Sequence, residues 1–518
     1  MGKISMCSVW EVIDLTFESE FEGNPFTEVA FSAVVTDVTT NYEKTIQGFY
    51  NGDKTFVLRM SFDRAGTYHY VTASTCEGLT GQTGTIEVKA CEDLYRKGPI
   101  MCDSKNSKRL YYQDGSHYNL CAFECDWLFA VSYDDKKAMT KTKRLAEEIC
   151  AHGFNHVVMN VYAYDLQWER DEWQKDSRVL PEHDHSGRKD IFPFLGNNET
   201  PDFTGLNVDF FKHLDQVIGI LDENNLIAHL MIYVWNKKVN WPEANSVADN
   251  MYFEYVVKRY QAYTNIMWDI SKEALGYGHC DMDYIVERIE RLQALNTYKR
   301  LVTVHDMSFC GKYPELVDVI STQTWVLDIH TRMRETAERY PDKVVFNIEH
   351  GGYEEGPYQI FTGNYVDAKT CLRRNYEIVF AGVYSSYYWQ PISWSVTMMP
   401  WESETYPKMV YYKYMTELFE TYDFGKLIPD DTIGHGGYSL RNQDESLLMM
   451  YIPKENYAVT VAGMKRFEGK RCTYRFFDTV TGIYSETYER DLLIHNQFKS
   501  PFKEDTVLII EIKGKNVL

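Results

Sequence analysis

Asn265-Ile-Met-Trp-Asp-Ile-Ser-Lys-Glu273 is a short apolar run that ends in an acid, and Lys343-Val-Val-Phe-Asn-Ile-Glu349 repeats the pattern further along the chain. Runs of this kind, apolar on both faces rather than alternating, read as strands buried inside a parallel sheet. Working outward from them, strand-like and helix-like segments alternate from about residue 100 to 420. Tyr118–Phe123, Asn155–Val161, Leu226–Tyr233, Asn265–Ile270, Leu301–His305, Val319–Gln323, Val344–Glu349 and Gly382–Tyr387 read as strands. Helical stretches fall between them at Lys136–His152, Asp209–Asn224, Ala248–Ala262, Asp281–Leu295, Glu335–Tyr340 and Ala368–Phe380. Eight β-segments with helical matter between them predict a (β/α)8 TIM barrel rather than an open sheet.

The flanks have a different rhythm. Val29–Val35, Thr55–Met60 and Gly66–Thr72 are strand-like, and turn stretches at Tyr50-Asn-Gly-Asp53 and Gly78–Gly84 separate them. Short strands with frequent turns predict a sandwich. Periodicity breaks at Arg96-Lys-Gly-Pro99, and β-patterns return after about residue 426 with Ser446–Ile452, Tyr457–Val461, Cys472–Asp478 and Thr506–Ile512. The expected organisation is multidomain: an N-terminal β-sandwich at 1–95, a catalytic TIM barrel at 96–425 and a C-terminal β-sandwich at 426–518.

Composition excludes several classes of function. The 75 acids against 54 Lys and Arg give a formal charge of -21, a field that repels a phosphate backbone, so nucleic acid is not expected as a partner. The 11 cysteines are scattered without a framework, which favours free thiols in a reducing compartment and a cytoplasmic location. No apolar stretch reaches the length of a membrane span. Neither G-x-G-x-x-G nor G-x-x-x-x-G-K-[ST] occurs where a nucleotide site would need it, and no cofactor is expected. The oligomeric state stays open, a homo-oligomer included.

Residues at the carboxyl ends of barrel strands open onto one face, where such barrels keep their chemistry. Glu273 and Glu349 both stand there, and two carboxylates across a pocket are what glycosidic bond cleavage requires. Lys272 precedes the first, while His305 and Gln323 end the fifth and sixth runs and point at the same mouth. His350, Tyr387 and Trp389 are expected to form the floor, with Trp389 beneath a sugar ring. The long connection from about Tyr162 to Thr204 carries Trp168, Trp173 and His183-Asp184-His185. Those last three are a weaker metal-binding alternative, and no metal is expected.

Phe49-Tyr-Asn-Gly-Asp53 and Phe62-Asp-Arg-Ala-Gly-Thr67 at the N-terminus, then Gly153-Phe-Asn155, Asp202-Phe203 with Asn207, Trp268–Glu273, Ile348-Glu349 and Gly382–Trp389, occur in one order. In that order they resemble bacterial clan-A glycoside hydrolases with an N-terminal β-sandwich and an apiosidase-like TIM barrel. The resemblance implies Glu273 as acid/base and Glu349 as nucleophile of a retaining hydrolase acting on short glycans or glycosides. Retention puts the two carboxyl groups about 5–5.5 Å apart. The chain departs from the clan in two places. Lys272 stands where the clan has Asn, and Val158 where it often has an Arg. These departures keep open a non-catalytic carbohydrate-binding protein on a degenerate barrel.

Overall fold

The structure, a computed structural model, describes residues 3–102, 108–167, 179–358, 365, 367–392, 394, 396–456, 458–461 and 464–513. Its centre is eight parallel strands: β1 (Cys121–Glu124), β2 (His156–Asn160), β3 (Ile227–Val234), β4 (Ile266–Lys272), β5 (Val302–His305), β6 (Val319–Gln323), β7 (Val344–Glu349) and β8 (Tyr384–Tyr387). Backbone ladders join them in the order β5-β4-β3-β2-β1-β8-β7-β6. The two ends of that order also meet. Asp318 N–H donates to Val302 O at 2.8 Å, and the Thr303 hydroxyl reaches Val319 O and Ser321 Oγ, each at 2.8 Å. The sheet is thereby closed into the expected TIM barrel. Almost every strand residue is buried, which is why the strands read as unbroken apolar runs.

Helices follow the strands: α1 (Thr140–Ala151), α2 (Val208–Glu223), α3 (Val247–Tyr260), α4 (Met282–Leu295), α5 (Met307–Lys312), α6 (Ile329–Arg339), α7 (Ala368–Phe380) and α8 (Val410–Thr421). Asn207, Ser246, Asp281, Asp306 and Asp367 cap α2, α3, α4, α5 and α7 by accepting first-turn N–H groups, each cap contributing about 1 kcal/mol. On α5, Cys310 Sγ donates to Val304 O at 3.2 Å, beside the β5–β6 join.

Before the barrel, a five-stranded and a three-stranded sheet enclose Ala33, Phe56, Leu58 and Ile86. After it, a six-stranded and a three-stranded sheet form the C-terminal β-unit around Leu448, Leu508 and Ile510. Arg59 pins the first unit to the barrel: its guanidinium donates to Asp14 at 2.8 Å, to Asp215 at 3.0 Å and to Arg259 O at 3.1 Å. No helix among the described residues is long and apolar enough to cross a membrane.

One strand differs from expectation. Tyr118 belongs to a separate three-stranded sheet with Ile100–Cys102 and Leu110–Tyr112, and the barrel strand starts only at Cys121. The Asn155 side chain makes the break. Its Oδ1 accepts Cys121 N–H at 3.0 Å and its Nδ2 donates to Asn119 O at 2.9 Å, satisfying backbone groups that a continuous ladder would have used.

Candidate active site

Two strands of the barrel, β4 and β7, lose register with a neighbour near their carboxyl ends. Against β5, Asp269 pairs with Thr303 but Lys272 with His305; between β6 and β7, Thr322 pairs with Asn347 but Gln323 with Glu349. Each break inserts one extra residue, and such a bulge re-aims the side chains that follow it. Those side chains are Lys272 with Glu273, and Glu349. Glu273 itself has a left-handed backbone, φ 58, which costs a non-glycine residue about 1–3 kcal/mol and persists only where its surroundings hold it. Here the hold is visible. Glu273 N–H donates to His305 O at 3.0 Å, and Asp269 Oδ1 accepts the N–H of His305 at 2.9 Å and of Ser271 at 3.2 Å. The other Asp269 oxygen lies 3.1 Å from His229 Nε2, and His229 Nδ1 is 3.0 Å from His156 Nε2. A buried polar chain through the barrel interior therefore braces the bulge.

The bulges bring Glu273, His305 and Glu349 together, one donor atom of each within 4.8 Å of the others. Below them lies a charge cluster. Lys272 Nζ stands 3.1 Å from Glu124 Oε1, 3.2 Å from Glu349 Oε2 and 3.5 Å from Asp126 Oδ1, and Lys237 Nζ lies 3.4 Å from Asp126 Oδ2. Burial disfavours the Lys272 ammonium, but Asp126, Glu349 and Glu124 hold it well above the ordinary lysine range. Burial pushes Glu124 well above the carboxylate range against the pull of Lys272. It raises Glu349 as well, with Lys272 drawing it back and Glu273 pushing it further up. Burial acts on Asp126 in the same sense, yet Lys272 and Lys237 outweigh it and keep that carboxyl low. Burial, with Lys272 adding to it, keeps His305 well below its usual value and so neutral.

A pocket of ≈ 290 Å³ opens above this cluster. Lys272, Glu273 and Glu349 line its base, and Asp126, Asn236, Lys237 and Gln323 supply further polar groups. Tyr277, Trp325, Tyr388 and Trp394 supply rings. Tyr388 keeps its place because residue 352 is glycine: a Cβ there would collide with the Tyr388 ring and come within 2.7 Å of its carbonyl oxygen.

Of the residues expected from sequence, Lys272, Glu273, Gln323 and Glu349 line the pocket. His305 sits behind it, its Nε2 4.0 Å from Glu349 Oε2. The floor has to be redrawn. Trp389 is fully buried and outside the pocket lining. Tyr387 packs against Phe123, Phe154 and Tyr412 and its hydroxyl meets that of Tyr353 at 2.9 Å. His350 points to Ser386 O at 2.7 Å. All three face the packing between elements. Two of the rings that do reach the pocket, Tyr388 and Trp394, belong to the same post-β8 segment in different phase.

Among the described residues, His183 and His185 belong to no cluster of metal-ligating side chains. His183 contacts Tyr358 at 3.1 Å and Glu402 at 3.4 Å, while Asp184 accepts from Ser186. Glu273, His305 and Glu349 are the cluster of metal-ligating side chains found among the described residues. The Lys272 ammonium beside Glu349 already supplies positive charge there, which opposes a dication. Trp168 and Trp173 lie outside the described residues. Sequence reasoning missed Glu124, Asp126, Asn236 and Lys237, although Cys121-Ala-Phe-Glu-Cys-Asp126 carries the same signal of acids closing an apolar run. Val158 is buried in β2 opposite Glu124, so the cation beside Glu349 comes from Lys272, on β4.

Residues 104–425 match the family model for the apiosidase-like catalytic domain, and residues 6–75 match a domain of unknown function, DUF5060. Among solved structures, the chain is similar to a protein of Bacteroides vulgatus ATCC 8482 named provisionally as a glycoside hydrolase. That pair has 19% identity and a TM-score of 0.75 over 98% of this chain and 100% of the other. A family 5 glycoside hydrolase from the same organism has 15% identity and a TM-score of 0.59 over 82% of this chain and 96% of its own. At these identities the likeness is one of fold. No curated protein sequence matches the chain.

Proposed function

The chain belongs to the apiosidase-like catalytic-domain family, and from that premise we propose that it is a retaining glycoside hydrolase in which Glu349 is the nucleophile and Glu273 the acid/base. The observation that carries this reading is the pair of carboxylates, one just after β4 and one ending β7, with one oxygen of each within 4.8 Å of the other in one pocket. Close carboxylates support direct attack, since retaining enzymes keep the two groups about 5–5.5 Å apart. Glu349 attacks the anomeric carbon as the bond to the leaving oxygen breaks, and the Glu273 proton passes to that oxygen. Glu273 then takes a proton from water, whose oxygen displaces Glu349 from the sugar.

Lys272 draws the Glu349 carboxyl back toward its ionised form in a site whose burial opposes charge, the part an Arg on β2 plays elsewhere in the clan. It is turned toward Glu124, Asp126 and Glu349, and among the four acids around it Glu273 is the weakest influence. The compact pocket supports removal of single terminal sugars from short glycans or glycosides. Eleven unpaired cysteines support a reducing, cytoplasmic setting, and the three-domain division at about 95 and 425 goes with this reading.

A panel of aryl glycosides tests the mechanism. Glu349→Gln should abolish turnover with the fold intact. Glu273→Gln should slow poor leaving groups far more than activated ones, which need little protonation. Wild-type rates that survive Glu349→Gln would remove the nucleophile assignment, and a wild type that binds a glycoside without cleaving it would favour the non-catalytic binding protein.

A further inference from the structure

We propose that Asn236 and Lys237, with Asp126, form a hydroxyl-reading wall that makes this pocket select an uncharged sugar with two adjacent hydroxyls in one fixed orientation. The inference rests on the glycosidase reading for its choice of ligand. Its own basis is two polar groups that the protein buries in the pocket wall without fully pairing. Lys237 is 3% exposed, and Asp126, at 3.4 Å, is the carboxylate its ammonium meets; the Trp394 ring lies 5.7 Å away. An ammonium carries three donors. Asn236 is 6% exposed, and its Oδ1 has no hydrogen-bond partner among the described residues. Buried polar groups left in this state cost free energy that a ligand hydroxyl would return.

The wall is also held in advance. Lys238 N–H donates to Asp165 O at 2.6 Å, and Gln167 Nε2 donates to Trp235 O and Lys237 O, each at 3.1 Å. Trp235 stacks on His279 at 5.2 Å. Asp126 accepts where Lys237 donates, and the two are adjacent. Together they match two neighbouring hydroxyls, one offering its proton and the other its lone pair, while the sugar's C–H face meets Trp325, Tyr388 or Trp394. Around the pocket four acids, Glu124, Asp126, Glu273 and Glu349, outnumber the ammoniums of Lys237 and Lys272. A uronate would add a further negative charge to a pocket in which acids outnumber ammoniums, with or without Glu349.

The test uses full-length Glu349→Gln protein and calorimetric titration with methyl glycosides of neutral sugars, a methyl uronide and the monodeoxy analogues of the tightest neutral binder. One deoxygenation should weaken binding about tenfold or more, the loss of a hydrogen bond to a charged partner. In Glu349→Gln/Lys237→Met the parent sugar should weaken by a similar factor, and the same deoxygenation should then cost less than about twofold. Lys272 still neutralises Asp126 in that variant. Should it nonetheless fail to fold, Asn236→Ala carries the same test for a neighbouring hydroxyl. Undiminished binding in the variants, an unchanged penalty for every deoxy analogue, a uronide that binds more tightly, or no neutral sugar bound would each overturn the inference. Wild-type turnover of the selected glycoside is scored separately. Lys237-dependent binding without turnover would defeat the hydrolase reading alone, and turnover with Lys237-independent binding would defeat this inference alone.

Discussion

Replacing Lys272 with Met removes one charge from a site that contains three carboxylates within 3.5 Å of it. At an effective dielectric of about 20, one ion pair at about 3.2 Å is worth roughly 5 kcal/mol before desolvation. Taking the ammonium out of water offsets much of that gain, but the mutant leaves acids buried without their partner, a loss of about 3–5 kcal/mol. At roughly 2–4 °C per kcal/mol for a large domain, the melting temperature should fall by about 10 °C at pH 7. The sign with pH is fixed by Asp126, whose folded carboxyl is held low. Its contribution is present above the unfolded value of about 3.9 and is lost as pH falls through the folded one. The gap between wild type and mutant should therefore narrow in acid. Lys272, held high, contributes its full share at every pH below about 10.4, so it does not bend the curve in this range. Activity gives the second readout. Burial already raises Glu349, and without Lys272 it rises further, moving the acid limb of kcat/KM to higher pH. Melting curves and rate profiles across pH 3.5–8 decide the matter. A mutant that melts within about 1 °C of wild type and keeps its acid limb would refute Lys272 as the counter-charge of Glu349.

Trp394→Ala should raise KM roughly tenfold, on the order of 1.4 kcal/mol of lost ring contact, whereas Trp389→Phe should leave KM unchanged and lower stability by about 2 kcal/mol. Steady-state kinetics beside thermal melts separate the two rings. Gly352→Ala should push Tyr388 out of place and raise KM with little change in the fold; an unaltered KM would show that Tyr388 does not touch substrate. Arg59→Met should cost about 3 kcal/mol by stripping Asp14 and Asp215 of a buried partner, seen as a lower urea midpoint with kcat preserved.

The barrel was legible because parallel strands are covered on both sides, which leaves unbroken runs such as Val344–Glu349 whose bounds in the structure are those read from the sequence. Both strand-end acids were legible for the same reason. The floor was not. In the segment Tyr387-Tyr388-Trp389, backbone phase decides which ring enters the pocket, and three adjacent aromatics look alike in text. Lys272 was ambiguous because its partners, Glu124 and Asp126, come from another strand and are brought beside it only by barrel closure. The bulges before Glu273 and Glu349 leave no compositional trace, since neither contains a glycine that would mark a backbone turn.

The join between β5 and β6 gives the barrel a preferred stave to part along. Seven of the eight strand contacts are zipped by backbone ladders. The eighth is stitched largely by Thr303, Ser321, Asp318 and the Cys310 thiol. Parting it therefore sacrifices fewer backbone pairs than parting any other, and the barrel should breathe there first. Cys310 is enclosed, and burial pushes its thiol up to about 12, so it is inert while the join is shut. Alkylation of this one side chain would then act as a clock for the opening of the cylinder, ticking beside the very strand whose end carries His305. Ligand seated against Glu349 should slow that clock.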